Sequence, residues 1–493
     1  MKYLIILAFL MGGLLNYVDA QESLPEVEWS TIKPKKPKYN SRSNERLAGE
    51  IGSEVFTYNY KGHPSTSTIP PIKVFLTKYN SELSWQKVVP LNLTIDRLLL
   101  NDPIVKAIGD KLYLFGLIWD KEIMEHVYVS QMIDPQEMVY SGPLKRIMGI
   151  PGPSISFRKG EFEVVYAPNR KRILFYGRTK LKKSPNQHLF KVYDENMTLL
   201  WELDKTFGKT YEDLKLHKPN LKVSSNGDVA MISHFTAEEE KVYCLQIKED
   251  GNEVREHLIE GTWDRCIQVQ VAQNPAGTLY VAGFFERPKL ENSGIFVQEI
   301  GASGTKEDLR YYYFSDPAFK YSKDAPSAAY PNRPLTNELM LQQDGNILLI
   351  TLLAIPYTHA VKPSVGLYRS HIMITSLSPD EEVNWSTLVP RCSPLLGLAP
   401  DEFYYPLVLP DRICFITDQL APESKGGKKS KNKYRSINLS SLDKEGNIEN
   451  QTLFEFPEEG VYIQPFIGFE QTRRQLLIRV VKGDNGHWVR LKF

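Results

Sequence analysis

Cysteine is scarce, with only Cys244, Cys266, Cys392 and Cys414 in 493 residues. None shows C-x-x-C spacing, so a structural zinc site is not expected. Each lies in or beside a strand-like stretch, such as "VYCLQI" or "RICFIT", where a buried free thiol is the simplest reading. The three possible pairings stay open on sequence alone. An excess of one charge is lacking too. The 60 Lys and Arg stand against 59 Asp and Glu, a net charge of +1, which argues against a nucleic-acid partner. Beyond the N-terminus no apolar run reaches the roughly 18 residues of a spanning helix. Helical periodicity is nearly missing, and even "TYEDLKLHK" (210–218) is short.

Catalytic signatures are equally thin. The nine His show no H-E-x-x-H or H-x-H spacing, and lone strand histidines such as His234 and His257 read as structural. There is no G-x-S-x-G elbow and no G-x-x-x-x-G-K-S/T loop. "KEDGNE" and "DKEGNIE" read as hairpin turns rather than calcium loops. "SSNGDV" (224–229) and "QQDGNI" (342–347) share the Asn/Asp-Gly turn of sialidase-type S-x-D-x-G-x-T-W boxes but lack the Thr-Trp ending. No metal and no cofactor is expected. A glycoside-cleaving carboxylate pair needs a separation of about 5 to 9.5 Å, which spacing along a repeat cannot show. Glu286, Asp316, Asp324 and Asp401 lie near predicted loops and are the acidic candidates.

What is present begins with an export signal. Lys2 precedes an apolar stretch from Tyr3 to Leu15, and Val18 and Ala20 are the small residues expected before a cut. Residues 1–20 are therefore predicted to be a signal peptide cleaved before Gln21, leaving 21–493 as one domain that is periplasmic or secreted. Sequons occur at Asn92, Asn196, Asn384, Asn438 and Asn450, of which Asn384 and Asn438 fall within predicted strands.

Then comes repetition. One hairpin unit pairs an alternating strand with a second strand that often carries Trp. It appears as "IKVFLTKYNSELSWQKVV" (72–89), "HLFKVYDENMTLLWEL" (188–203), "HIMITSLSPDEEVNWSTLV" (371–389) and four further copies. Between these copies lies another hairpin whose second strand is richer in apolar β-formers, as in "IVKAIGDKLYLFGLI" (104–118) and "FEVVYAPNRKRILFYGR" (162–178). Alternation and Asn/Asp/Gly/Ser-rich turns mark both as β-hairpins. Eight of the second kind, seven of the first and a leftover strand "HWVRLKF" (487–493) make an incomplete set. "VEWSTI" (27–32) echoes "VNWSTL" (383–388) and supplies the missing strand. The fold class predicted is all-β: an eight-bladed β-propeller closed by the N-terminal outer strand pairing with the C-terminal blade. Seven blades is the runner-up, followed by two smaller propellers and by a β-sandwich pair or mixed fold.

In such a fold the connections between second and third strands, and between blades, emerge on one face. The long ones are 146–160, 315–337 and 354–370. Phe319, Tyr321, Tyr330 and Arg333 on the second, with Tyr357, His359, Tyr368 and Arg369 on the third, are the candidate ligand-binding residues. Covering of blade edges is the alternative role for these loops. The basic runs "KGGKKSKNKYR" (425–435) and "KPKKPKYNSR" (33–42) read as solvated surface segments.

"QESLPEVEWS" directly after the signal, and units such as "LFKVYDENMTLLWELD", resemble the uncharacterised exported β-propeller proteins of Bacteroidetes-type bacteria. The resemblance carries no catalytic residues over to this chain. The expected function is binding of a protein, peptide or glycan by a non-enzymatic monomer through the long-loop face. The alternative is a carbohydrate-active hydrolase or lyase using carboxylates at the channel mouth.

Overall fold

The computed structural model describes residues 26–29, 45–61, 73–95, 98–151, 160–179, 185–210, 219–236, 240–287, 292–316, 319, 334–342, 345–356, 368–378, 382–394, 407–408, 412–420, 434–455, 461–470, 475–482 and 485–492. The regular elements among them are β-strands, joined into four-stranded antiparallel sheets. No helix among the described residues is long and apolar enough to cross a membrane. The predicted signal peptide and both basic runs, apart from Tyr434 and Arg435, lie outside the described residues.

Sheet 1 contains Arg46–Ile51, Glu54–Lys61, Lys73–Tyr79 and Trp85–Leu91; sheet 2 contains Asn101–Ile108, Lys111–Asp120, Glu125–Ile133 and Tyr140–Pro151. Sheet 3 contains Gly160–Tyr166, Arg172–Thr179, Pro185–Asp194 and Leu199–Thr210; sheet 4 contains Asn220–Val223, Val229–Thr236, Glu240–Ile247 and Val254–Ile259. Sheet 5 is Arg265–Gln273, Leu279–Arg287, Asn292–Ile300 and Arg310–Tyr313; sheet 6 is Pro334–Leu341, Ile347–Pro356, Tyr368–Leu377 and Val383–Pro394. Sheet 7 is Leu407–Val408, Ile413–Leu420, Tyr434–Leu442 and Ile448–Glu455. The last sheet, sheet 8, takes Val461–Glu470, Gln475–Lys482 and Asn485–Lys492 from the C-terminus and Glu26–Trp29 from the N-terminus.

Burial explains the two hairpin types. In sheet 2 the second strand is buried continuously from Leu112 to Ile118, because a neighbouring sheet covers each face. The fourth strand of sheet 1, Trp85–Leu91, is an outer edge and carries its polar residues to solvent. Apolar clusters fill the gaps between successive sheets. Phe56 and Leu76 of sheet 1 meet Val105 and Leu114 of sheet 2. Phe115 and Tyr128 of sheet 2 meet Phe175 of sheet 3, and Leu174 and Phe190 meet Met231 and Leu245 of sheet 4. Cys244 and Val242 meet Val281 and Phe285, Phe284 meets Leu349, and Ile350 meets Phe415. Each such side chain contributes roughly 1.5–3 kcal/mol when fully buried. This face-to-face stacking of four-stranded antiparallel sheets is β-propeller architecture.

A recurring five-residue turn sets the register of the hairpins. In sheet 7, Asn447 N–H donates 2.8 Å to Asp443 Oδ1, and the Gly446 N–H donates 3.2 Å to the Asp443 carbonyl. The fourth turn residue has positive φ: 55° at Leu83, 60° at Met197 and 79° at Gly446. The apex then engages the preceding sheet. A Cβ on Gly446 would lie 2.4 Å from Trp385, so only glycine admits that indole. Trp385 Nε1–H also donates 2.7 Å to the Lys444 carbonyl. Lys87 likewise donates 2.9 Å to the Glu137 carbonyl, Lys145 2.7 Å to the Met197 carbonyl, and Tyr312 3.2 Å to the Ser378 carbonyl. The Trp of "VNWSTL" is thus a latch from one sheet onto the next.

The chain ends meet in sheet 8. Glu26 pairs with Lys492, Val27 with Leu491, Glu28 with Arg490 and Trp29 with Val489. The expected strand Val27–Ile32 begins one residue earlier, at Glu26, and Ser30 to Ile32 lie outside the described residues. Sheet 8 also packs on sheet 1, where Leu477 and Trp488 join Val55 and Leu83. Arg490 pairs with Glu50 at 3.2 Å and donates to the Ser81 carbonyl.

Three loop boundaries need correction. Residues 146–151, assigned to a loop, continue the fourth strand of sheet 2 to Pro151, since Val127 to Glu125 supply paired partners. Pro334 to Asn337 already belong to the first strand of sheet 6, and Tyr368 and Arg369 to its third. A small hairpin, Thr94–Ile95 with Leu98–Leu99, was not anticipated. Of the sequons, Asn438 is buried, which leaves no room for a glycan.

Candidate functional site

The first strands of the sheets form an inner wall. The first strand of sheet 1 touches those of sheets 2 and 8, and those of sheets 3, 4, 5 and 6 touch in succession. Contact is close where Gly49 faces Ala107: a Cβ on Gly49 would lie 2.7 Å from the Ala107 Cβ.

On sheets 1 to 3 the wall carries cations and phenols. The Arg46 guanidinium stands 5.3 Å from the centroid of Tyr60, a cation–π contact. Tyr60 donates its hydroxyl to the Pro103 carbonyl. Burial raises the phenol pKa of Tyr58, opposed by Arg46. Half-buried Lys106 has its ammonium pushed down to about 8, by enclosure first and then by Arg170 and Arg46. Arg170 sits in the turn joining the first two strands of sheet 3. On sheets 4 to 6 the wall includes Asn220, Lys222, Gln270 and Glu338. Asn220 donates to Gln270 Oε1, and burial raises the Glu338 carboxyl, opposed by Lys222.

The candidate loop residues separate. Phe319 is a core residue, 5% exposed, edge-on to Phe314 with ring centroids 5.1 Å apart. A short parallel bridge to Ser386 holds its backbone, so it anchors the loop instead of presenting a ring to solvent. Tyr368 and Arg369 pair through the backbone with Pro356 and Ile355. Tyr321, Tyr330, Arg333, Tyr357 and His359 lie outside the described residues, as do Asp324 and Asp401. Glu286 faces Arg265 at 3.9 Å, and Asp316 is exposed with its backbone carbonyl accepting the Phe319 N–H. The structure therefore brings none of the four acidic candidates into a described pair. Among the described residues no group of three or more His, Cys, Asp or Glu could hold a metal ion.

No protein-family model and no curated protein matches the chain. Solved structures do. The Kuenenia stuttgartiensis hydrazine synthase is 13% identical at a TM-score of 0.34, covering 82% of this chain and 96% of its own. The β-propeller domain of the Pyrococcus furiosus Trilobed protease is 8% identical at 0.34, covering 84% and 96%. A Penicillium chrysogenum α-L-arabinanase is 11% identical at 0.33, covering 67% and 93%. At these scores no activity transfers.

His188 Nδ1 meets the Tyr176 hydroxyl at 2.8 Å, and burial, then Arg178, pushes its pKa down to about 3. An unfolded His titrates near 6.5, so the unfolded state binds the extra proton between those values. Stability is thus fully present above about pH 6.5 and falls on acidification, with a slope of up to about 1.4 kcal/mol per pH unit from this one group. Urea unfolding from pH 7 to 4 should show a His188→Gln variant with a shallower decline; an unchanged slope would contradict the assignment. Cys244 is a buried free thiol, its pKa pushed up to about 12 by burial.

Proposed function

We propose that the chain is an exported, eight-bladed β-propeller, closed by its N-terminal strand, that binds a protein, peptide or glycan and performs no catalysis. Eight four-stranded sheets and the pairing of Glu26–Trp29 with the C-terminal strand support the blade count and the closure. The observation that carries the binding reading is the placement of chain length. Turns within the strand 1–2 and strand 3–4 hairpins are short and hydrogen-bonded, whereas the intervals 320–333, 357–367 and 395–406 fall between strands 2 and 3 or between sheets. In a propeller those intervals share one face, and long connections on a rigid scaffold are where recognition concentrates. Tyr321, Tyr330, Arg333, Tyr357 and His359 are the proposed contacts, with Tyr368 and Arg369 at the strand margin and Phe319 holding the loop base.

Affinity capture from native envelope with the mature protein as bait, read by mass spectrometry and alongside a glycan array, tests this. A partner or glycan whose retention falls at least tenfold on Tyr330→Ala, Arg333→Ala and Tyr357→Ala substitution supports it. Release of new reducing ends from a bound polysaccharide would replace it with the hydrolase or lyase alternative.

A further inference from the structure

The first strands of sheets 4 to 6 carry polar side chains at one height. Their hairpin turns are alike, closed by the Ser224 N–H on the Asp228 carbonyl, the Asn274 N–H on the Thr278 carbonyl and the Gln342 N–H on the Asn346 carbonyl. Asn220, Gln270 and Glu338 each stand four residues before those turns, opposite Ile232, Ala282 and Ile350. The three strands touch in succession. At that height Asn220 donates to Gln270 Oε1, which ties sheet 4 to sheet 5.

Burial shows which way these side chains face. Leu221, Val223, Val269, Val271 and Leu339 are buried in the clusters between sheets. Asn220, Lys222, Gln270 and Glu338, which alternate with them, are half-buried. In a propeller that alternation separates the packed side of a first strand from the central channel. The half-buried apolar residues Ile267, Ala272, Leu341 and Met340 pack on the clusters, so the side chains left to the channel are the polar ones. A bulge between Ile267 and Gln270, with Gln268 at φ 52°, lets Cys266 and Val269 both enter the cluster on sheet 4 and brings Gln270 to Asn220. Asn220 Oδ1 is enclosed there and accepts no hydrogen bond among the described residues, a loss that a donor at the wall removes.

The chemistry narrows the ligand. Two amides offer donors and acceptors together, and Glu338 adds an acceptor. Lys222, two residues from Asn220, opposes the effect of burial on Glu338, and the single charges of the two offset each other. Such a set favours neither an anion nor a cation, and a hydroxyl, which both donates and accepts, suits it. We infer that Asn220, Gln270 and Glu338 form a subsite on the channel wall that reads the hydroxyl groups of an uncharged oligosaccharide. Sugar hydroxyls donate to Asn220 Oδ1 and to the Glu338 carboxylate, while the Gln270 amide N–H groups donate to sugar oxygens. The inference rests on the binding reading and narrows its ligand to a glycan whose end enters the channel.

Isothermal titration of the full mature chain with xylotetraose, mannotetraose and cellotetraose at up to about 5 mM, with tetraglycine as the peptide control, tests this. At least one tetraose should bind and tetraglycine should not. Gln270→Ala and Glu338→Gln should each weaken that sugar about tenfold or more, as expected where a site built to hydrogen-bond loses a partner. Glu338→Gln keeps the side chain's size and serves alone if Gln270→Ala does not fold. Loss in the wall variants supports the subsite whether or not Tyr357→Ala also weakens the sugar. Loss in Tyr357→Ala with none in the wall variants places the sugar on the loops, which overturns the subsite and leaves the binding reading in force. No tetraose binding, or tetraglycine bound in its place, also overturns the subsite, and the captured protein or peptide partner then decides the binding reading by itself.

Discussion

Deleting residues 21–33 should lower the thermal unfolding midpoint sharply and make the chain self-associate. The deletion removes Glu26–Trp29, the outer strand of sheet 8. The four residue pairs from Glu26–Lys492 to Trp29–Val489 disappear. Net backbone hydrogen bonds are worth about 0.5–1.5 kcal/mol each, so the four or so in this ladder account for about 2–6 kcal/mol. A second effect adds to it. The strand Asn485–Lys492 becomes an open edge with unpaired backbone groups, a template for pairing with another chain. Calorimetry and size-exclusion chromatography read the two effects. A truncated protein with an unchanged midpoint would show that the N-terminal strand does not close the fold.

Arg490→Ala should cost about 3–5 kcal/mol, the usual result of removing one partner from a buried ion pair. Arg490 and Glu50 have side chains only 7% and 4% exposed, and the pair joins sheet 8 to sheet 1. Arg490 also donates to the Ser81 carbonyl in the turn of sheet 1, so its loss removes a second tie between the same sheets. The substitution leaves the Glu50 carboxylate buried, in the strand between Gly49 and Ile51. A double variant, Glu50→Met with Arg490→Met, should be less destabilised than the sum of the single changes, because no buried charge is stranded. Urea unfolding of the four proteins gives the coupling. A loss below about 0.5 kcal/mol for Arg490→Ala would place the pair among ordinary surface contacts.

The hairpins were legible because their signals are local. "KYNSEL" puts Asn80 where its side-chain oxygen receives the Ser84 N–H at 2.7 Å, and strands alternate on each side. The match between "VEWSTI" and "VNWSTL" was legible for a similar reason: both are fourth strands, and Trp385 shows what that position does. Loop limits were less clear. Tyr368 and Arg369 look like loop residues after "KPSVGL", yet the pairing of strands 2 and 3 in sheet 6 extends to Pro356 and captures them. Phe319 read as an exposed aromatic among small residues, but it joins the apolar cluster between sheets 5 and 6 that includes Phe314 and Leu339. The inner-wall cations were invisible for a topological reason. Arg46, Lys106 and Arg170 are each a polar residue in or beside an alternating strand, and only the stacking of sheets lets the charges of Arg170 and Arg46 act on Lys106.

Hydrogen–deuterium exchange of the C-terminal segment 485–492, compared between the full mature chain and the chain lacking 21–33, tests the closure most directly. In the full chain the amides of residues 489–492 that face Glu26–Trp29 should be protected, and in the shortened chain they should exchange far faster while sheets 3 to 5 stay protected. Equal exchange of 489–492 in both chains would contradict the pairing of the two ends.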